Sequence, residues 1–241
     1  PAARKSWEFP ITAGFEPRLY QFSIIRRALF ENTLVSLPTG LGKTFIAAVV
    51  MRNYHRWFPT GTIVFMAPTK PLVTQQVEAC HGAAGIPVEH TAQLTGSTPP
   101  PSRGQLWSSR QLFFCTPQLF KNDLMHRRLD PRNVVLVVLD EAHRASGQYA
   151  YCEVIKELDK YNRRYRVLAL SATPGTDLHK VQDVITNLHI SHVEIRTDAD
   201  PDVQSYTFEK TIHQVTVPLS KELKELKATF VKLMEPPLSR L

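Results

Sequence analysis

Leu37-Pro38-Thr39-Gly40-Leu41-Gly42-Lys43-Thr44 is the stretch whose residue types speak most directly of chemistry. Gly40 and Gly42 allow a tight backbone turn that comes close to a polyphosphate. N–H groups exposed at the start of a following helix, with the partial positive end of that helix, hold an anion. Lys43 reaches terminal phosphates, and Thr44 offers a hydroxyl to a magnesium ion. Strand, glycine-bearing turn, Gly-Lys-Thr and helix make up the P-loop arrangement, with one departure: the pattern opens on Gly, and position 37 is Leu. A second cluster, Asp140-Glu141-Ala142-His143, directly follows an apolar run of Val and Leu over 134–139. Adjacent carboxylates at the end of a buried strand need a positive partner. Magnesium carried by a nucleotide is such a partner. Asp140 would hold the ion through water, opposite Thr44. Glu141 would orient or deprotonate an attacking water.

These clusters need elements to position them. Apolar residues Leu19, Phe22, Ile25 and Leu29 recur at helical spacing. Strands are expected over 33–37, 62–67, 111–115, 133–139, 166–170 and 192–196, with weaker candidates over 88–94 and 206–217. Helices are expected over 43–57, 72–84, 102–109, 117–125, 149–161 and 177–188. Pro99-Pro100-Pro101 reads as a stiff surface linker. A charged helix with Leu223, Leu226, Phe230 and Leu233 on one face is expected over 221–233, ended by Pro236 and Pro237. Residues 1–17 read as an extended arm. Strands alternating with helices give an α/β fold, a mostly parallel central sheet flanked by helices on both faces. Ligands of such sheets sit at the carboxyl ends of the strands.

Among 241 residues, 29 are Lys or Arg and 22 are Asp or Glu, a formal charge of +7. Residues 1–120 carry 11 basic and 5 acidic side chains, so most of the excess lies there. A basic excess favours polyanionic partners. Cys80, Cys115 and Cys152 lack metal-ligand spacing and sit in apolar contexts. That argues for a reducing compartment and buried packing. No apolar run approaches the length needed to cross a bilayer, so no membrane association is expected.

The clusters resemble, in order, the motifs of superfamily 2 helicases. Arg18-Leu19-Tyr20-Gln21 looks like the segment in which Gln21 reads the adenine, since an amide donates and accepts at once. Residues 37–44 are similar to motif I, although the family more often carries a smaller residue at position 37. Asp140-Glu141-Ala142-His143 matches motif II in its DEAH spelling. Ser171-Ala172-Thr173 matches motif III, and the resemblance gives His143, Ser171 and Thr173 a role in coupling hydrolysis to movement. Three further stretches resemble nucleic-acid motifs: Ala67-Pro68-Thr69-Lys70-Pro71-Leu72, Thr95-Gly96-Ser97 and Thr116-Pro117-Gln118. Through them Thr69, Lys70, Thr95, Gly96, Thr116 and Gln118 are implied contacts to phosphates, which position a strand without reading its sequence.

The wording of residues 37–47, 65–73, 140–145 and 170–175 narrows the likeness to the Fanconi anaemia group M and Hef-like family, over about residues 18–220. The resemblance implies a RecA-like domain, 18–218, followed by the start of a helical insert, 219–241. It implies an ATP- and Mg2+-dependent DNA translocase of the nucleus that remodels forks and junctions in DNA repair, with repair-complex proteins as partners. Such motors need a second RecA-like domain that supplies arginines to the γ-phosphate, and no second P-loop or matching arginine motif follows residue 173. A first motor domain with little ATPase activity of its own is therefore expected. Two readings stand beside it. One is a double-stranded-RNA-dependent ATPase of the Dicer and RIG-I type; the other is a DNA- or protein-binding module with a silent nucleotide site. Arg163, Arg164 and Arg166 read as a solvated basic edge, and so do Arg127, Arg128 and Arg132, with phosphate contact as their lesser reading.

Overall fold

The computed structural model describes residues 6–10, 18–172, 178–207 and 215–238. The chain divides into two compact units, 1–207 and 208–241. In the first unit the elements run α1 (Leu19–Ala28), β1 (Thr33–Ser36), α2 (Lys43–Trp57), β2 (Thr62–Met66), α3 (Lys70–Ala84) and β3 (Thr91–Gln93). They continue with α4 (Pro100–Ser109), β4 (Leu112–Cys115), α5 (Pro117–Met125), β5 (Val134–Leu139), α6 (Ala150–Asp159), β6 (Arg166–Ser171), α7 (Leu178–Asn187), β7 (His192–Ile195) and α8 (Pro201–Gln204).

Seven strands form one sheet in the order β3-β4-β2-β5-β6-β1-β7, and every pairing is parallel. Alternation along each strand divides its side chains between two cores. Ile63, Phe65, Leu136, Val138, Leu168 and Leu170 face the core shared with α1, α2 and α3. Val64, Met66, Val137, Leu139, Val167 and Ala169 face the core that contains Trp107, Phe120, Tyr151 and Val184. Burial on both faces explains why these strands read as unbroken apolar runs. Cys80, Cys115 and Cys152 are all buried and unpaired, as their contexts imply. Among the described residues, no helix is long and apolar enough to cross a membrane.

Several elements differ from expectation. The weak strand over 88–94 shortens to Thr91–Gln93, because Val88–His90 forms a 3-10 turn. Pro100 and Pro101 are not linker; they fill the first turn of α4, where a missing N–H loses nothing. No strand forms at Tyr206 and Thr207 or at 215–217, and the rest of that expected strand lies outside the described residues. Of the N-terminal arm, Ser6–Pro10 is described. It packs on α2, where the Glu8 N–H donates to Asn53 Oδ1 at 2.7 Å and Asn53 Nδ2 donates to the Glu8 carbonyl at 2.8 Å. Arg166 is not a solvated edge: it donates to the Tyr54 hydroxyl at 3.1 Å and to Asn32 Oδ1 at 3.0 Å. Arg128 and Arg132 are held by Asp123 and Asp130.

In the second unit, α9 runs Lys221–Leu238, one turn further than expected and through Pro236 and Pro237. Leu223, Leu226, Phe230 and Leu233 lie exposed along α9.

Candidate functional site

The sheet order sorts the candidate residues along its carboxyl edge. On one half, β5, β6 and β1 are neighbours, so the segments after them converge: Asp140 and Glu141, Ser171 and Ala172, and the loop 37–44. On the other half, β3, β4 and β2 are neighbours, which gathers Thr95 and Gly96, Thr116 and Gln118, and Thr69 and Lys70. The ladder carries on past the strand ends. Leu37 N–H donates to the Ser171 carbonyl at 3.1 Å, and Asp140 N–H to the Met66 carbonyl at 2.9 Å.

The loop 37–44 depends on its glycines. Gly40 and Gly42 adopt φ of +88° and +84°, a region costly for residues with a Cβ. A Cβ on Gly42 would also lie 2.3 Å from Gln21 Nε2, so the loop is pressed against α1. Two α1 side chains hold it there: the Tyr20 hydroxyl donates to the Leu41 carbonyl at 2.8 Å and Gln21 Nε2 to the same oxygen at 3.2 Å. Lys43 Nζ turns back onto the loop and donates to the carbonyls of Leu37 at 2.6 Å and Pro38 at 3.3 Å. Burial holds its pKa below the ordinary lysine value, against the opposing pull of Asp140 and Glu141. Thr39 is exposed at the tip of the loop.

Asp140 is 6% exposed. Burial, and then the neighbouring Glu141 charge, push its carboxyl above the usual range; the Glu141 N–H, Lys43 and Gln76 oppose the shift. Asp140 Oδ1 accepts from the Glu141 N–H at 3.0 Å. The Tyr151 hydroxyl fixes the Asp140 backbone by donating to its carbonyl at 2.6 Å. Glu141 itself sits in the left-handed region, φ 52° and ψ 47°. A non-glycine residue there stores about 1–3 kcal/mol of strain, which the buried strand before it must hold. The turn sends the Glu141 carboxylate to 3.3 Å from His143 Nδ1, a nitrogen also 3.2 Å from Ser171 Oγ. His143 and Ser171 are thus brought to the carboxylate pair. Thr173 lies outside the described residues.

One residue of this site was not singled out in the sequence. Gln76 of α3 stands between Thr44 and Asp140. Its Oε1 accepts from Thr44 Oγ1 at 2.8 Å, and its Nε2 donates to Asp140 Oδ2 at 3.2 Å. The available signal was a polar residue on the apolar stripe of α3, between buried Val73 and Cys80. Gln21 offers the other unusual feature. Its side chain is 1% exposed, and its Oε1 is fully enclosed without a hydrogen-bond partner. A buried unpaired acceptor costs about 1–3 kcal/mol, and a donor from outside the chain reaches it only once the groups covering it move aside.

The nucleic-acid candidates are chemically plainer. Thr69 and Lys70 are exposed at the start of α3 and Gln118 in the first turn of α5. Thr116 is the residue before α5. Thr95 and Gly96 form a hydroxyl-lined turn in which Thr95 Oγ1 lies 2.7 Å from Ser97 Oγ. Their hydroxyls, an ammonium and the N–H groups of two helix starts suit phosphate oxygens.

Residues 18–181 match the family described as DEAD/DEAH box helicase. The chain is 52% identical over 240 residues to the mouse protein named Fanconi anemia group M protein homolog, covering 100% of this chain and 12% of that protein. It is 51% identical over 240 residues to the ATP-dependent DNA helicase fml1 of Schizosaccharomyces pombe, covering 100% of this chain and 28% of the relative. Among solved structures it is similar to the Pyrococcus furiosus Hef helicase domain, with a TM-score of 0.76 and 37% identity over 88% of this chain and 45% of that one. The chain spans less than half the length of each of these proteins.

Proposed function

The chain belongs to the DEAD/DEAH box helicase family, and from that premise we propose that it is the first RecA-like, ATP-binding domain of an ATP-dependent DNA helicase or translocase. Its track is branched DNA, forks and junctions, and its setting is DNA repair in the nucleus. The observation that carries this reading is the convergence of Lys43, Thr44, Asp140 and Glu141 on one edge of the sheet, beside a buried Gln21 oxygen that lacks a donor.

The residues fit an adenine nucleotide with magnesium. Gln21 Oε1 would accept from the adenine amino group, once the groups that enclose it move aside. The N–H groups of residues 40–44 and the Lys43 ammonium would hold the phosphates, once Lys43 leaves the carbonyls of Leu37 and Pro38. Thr44 and Asp140 would hold Mg2+, with water completing the shell at Asp140. Bound ATP supplies the phosphoanhydride bond whose hydrolysis drives movement. Glu141 orients the attacking water and takes its proton. His143 links Glu141 to Ser171, and Ser171 and Thr173 pass the change of state onward. Thr69, Lys70, Thr95, Gly96, Thr116 and Gln118 grip the phosphates of one strand. A second RecA-like domain supplies the arginines, helix 221–238 begins a helical insert, and repair-complex proteins are further partners.

Lys43→Ala and Glu141→Gln in the full-length protein test the reading. Both should abolish fork remodelling, and Glu141→Gln should still bind ATP. Remodelling that survives both changes favours a module with a silent nucleotide site. The double-stranded-RNA reading is not favoured: the fission yeast and Neurospora crassa relatives are named DNA helicases, although the Arabidopsis thaliana relative, 47% identical over the whole chain, is named an RNA helicase. Competition between DNA and RNA at a stated salt concentration separates the two tracks.

A further inference from the structure

We propose that Gln76 is a positioning residue that couples nucleic-acid engagement at α3 to the magnesium-holding pair Thr44 and Asp140. The inference rests on the nucleotide-site reading above and adds a route by which DNA reaches that site.

The chemistry of the amide fixes its orientation. An ionised carboxylate only accepts, so the NH2 end of Gln76 must face Asp140 and its carbonyl must take the Thr44 proton. With its proton committed to Gln76 Oε1, the Thr44 oxygen keeps its lone pairs for a metal. With Gln76 Nε2 on Oδ2 and the Glu141 N–H on Oδ1, each Asp140 oxygen has one protein donor and retains acceptor capacity. One amide therefore aims two groups that arrive on different elements, the start of α2 and the end of β5. Partners of this kind orient metal-binding groups, and their loss typically weakens metal affinity about 10–100-fold.

The same helix carries the nucleic-acid contacts. Thr69 and Lys70 open α3, and Gln76 follows Lys70 by about 9 Å along the helix axis. Thr74, between them, accepts from Gln93 Nε2 at 2.8 Å, which ties α3 to the strand that leads into Thr95 and Gly96. Val73, Cys80 and Ala84 seat the helix in the core. In this proposal a shift of α3 lengthens the 3.2 Å bond to Asp140. DNA that draws on Lys70 and the turn after β3 thus changes how well Thr44 and Asp140 are aligned.

The test uses the full-length protein and a fluorescent, non-hydrolysable ATP analogue, titrated with Mg2+ with and without forked DNA. In the parent, the DNA is expected to shift the Mg2+ midpoint of analogue binding. Gln76→Met fills similar space without hydrogen bonds; it should raise that midpoint about tenfold and remove the shift caused by DNA. Gln75→Met, one residue away on the exposed side of α3, should leave both unchanged. A thermal melt and DNA affinity without nucleotide verify that Gln76→Met is folded. Should it unfold, Gln76→Glu, which keeps an acceptor for Thr44 and loses the donor to Asp140, must likewise lose the shift. The proposal is overturned by a Mg2+ midpoint in the parent that ignores DNA, or by a Gln76 variant that keeps the shift. A parent that does not bind the analogue at all sinks the nucleotide-site reading itself.

Discussion

Gln21 has one end satisfied and the other enclosed without a partner. Replacing it with Leu gives up one buried hydrogen bond and one unpaired oxygen together. Gln21→Leu should therefore change the stability of the nucleotide-free protein by less than about 1 kcal/mol, read from a denaturant melt. Its preference for ATP over GTP should fall about tenfold in competition binding, a loss of about 1.4 kcal/mol. Asp140 makes the opposite case. A carboxyl whose folded pKa is raised binds its proton more tightly in the folded state, so stability falls as pH rises from the ordinary carboxylate value through the raised one. Asp140→Asn should then melt at a higher temperature than the parent at pH 7 and at the same temperature near pH 3. Gln76 can turn over to pair with the new amide. Magnesium-dependent nucleotide binding should be lost in the same variant. The candidate nucleotide-site residues were legible in the sequence because Gly-Lys-Thr and Asp-Glu are contiguous. Gln76 was not, because its role exists only once α3, α2 and β5 have packed together.

At the scale of elements, β5 and β6 could be read because burial on both faces leaves a continuous apolar run. β3 was read only weakly and too long, since a three-residue edge strand has little pattern to show. The triple proline misled for a different reason: rings that stiffen a linker also fit a first helical turn. The tie between α4 and α5 was equally hidden. Asp123 is fully buried, and it accepts from Arg103 at 2.9 Å, Trp107 at 2.9 Å and Arg128 at 2.8 Å. Burial alone would raise its carboxyl pKa, but these three donors outweigh that and hold it below the usual range. Asp123→Ala strands a buried guanidinium and should cost about 3–5 kcal/mol, measured by denaturant unfolding. The stabilisation in the parent is present above the ordinary carboxylate pKa and lost as pH falls through the depressed one. Since α5 packs on the opposite face of the sheet from α2, which carries Lys43, the folded fraction of Asp123→Ala should still bind nucleotide.

For the whole molecule, the alternation of strands and helices already specified a parallel sheet, and the order of its strands places two kinds of loop on separate halves of one edge. Under the proposed function, that partition gives hydrolysis and strand contact separate halves of a single sheet. The 241-residue chain alone should hydrolyse ATP about 10³-fold more slowly than the full-length motor, and forked DNA should not close that gap; phosphate release measures both. The buried sulfurs set up a practical consequence. Burial pushes Cys80 to about 12 and raises Cys115 and Cys152 as well, so all three remain protonated and enclosed at neutral pH. Maleimide dyes should pass them by until the chain is denatured. A reporter placed through one new surface cysteine near Lys70 or Gln118 would then mark a single spot, and single-molecule fluorescence could follow the grip on DNA in an otherwise unaltered domain.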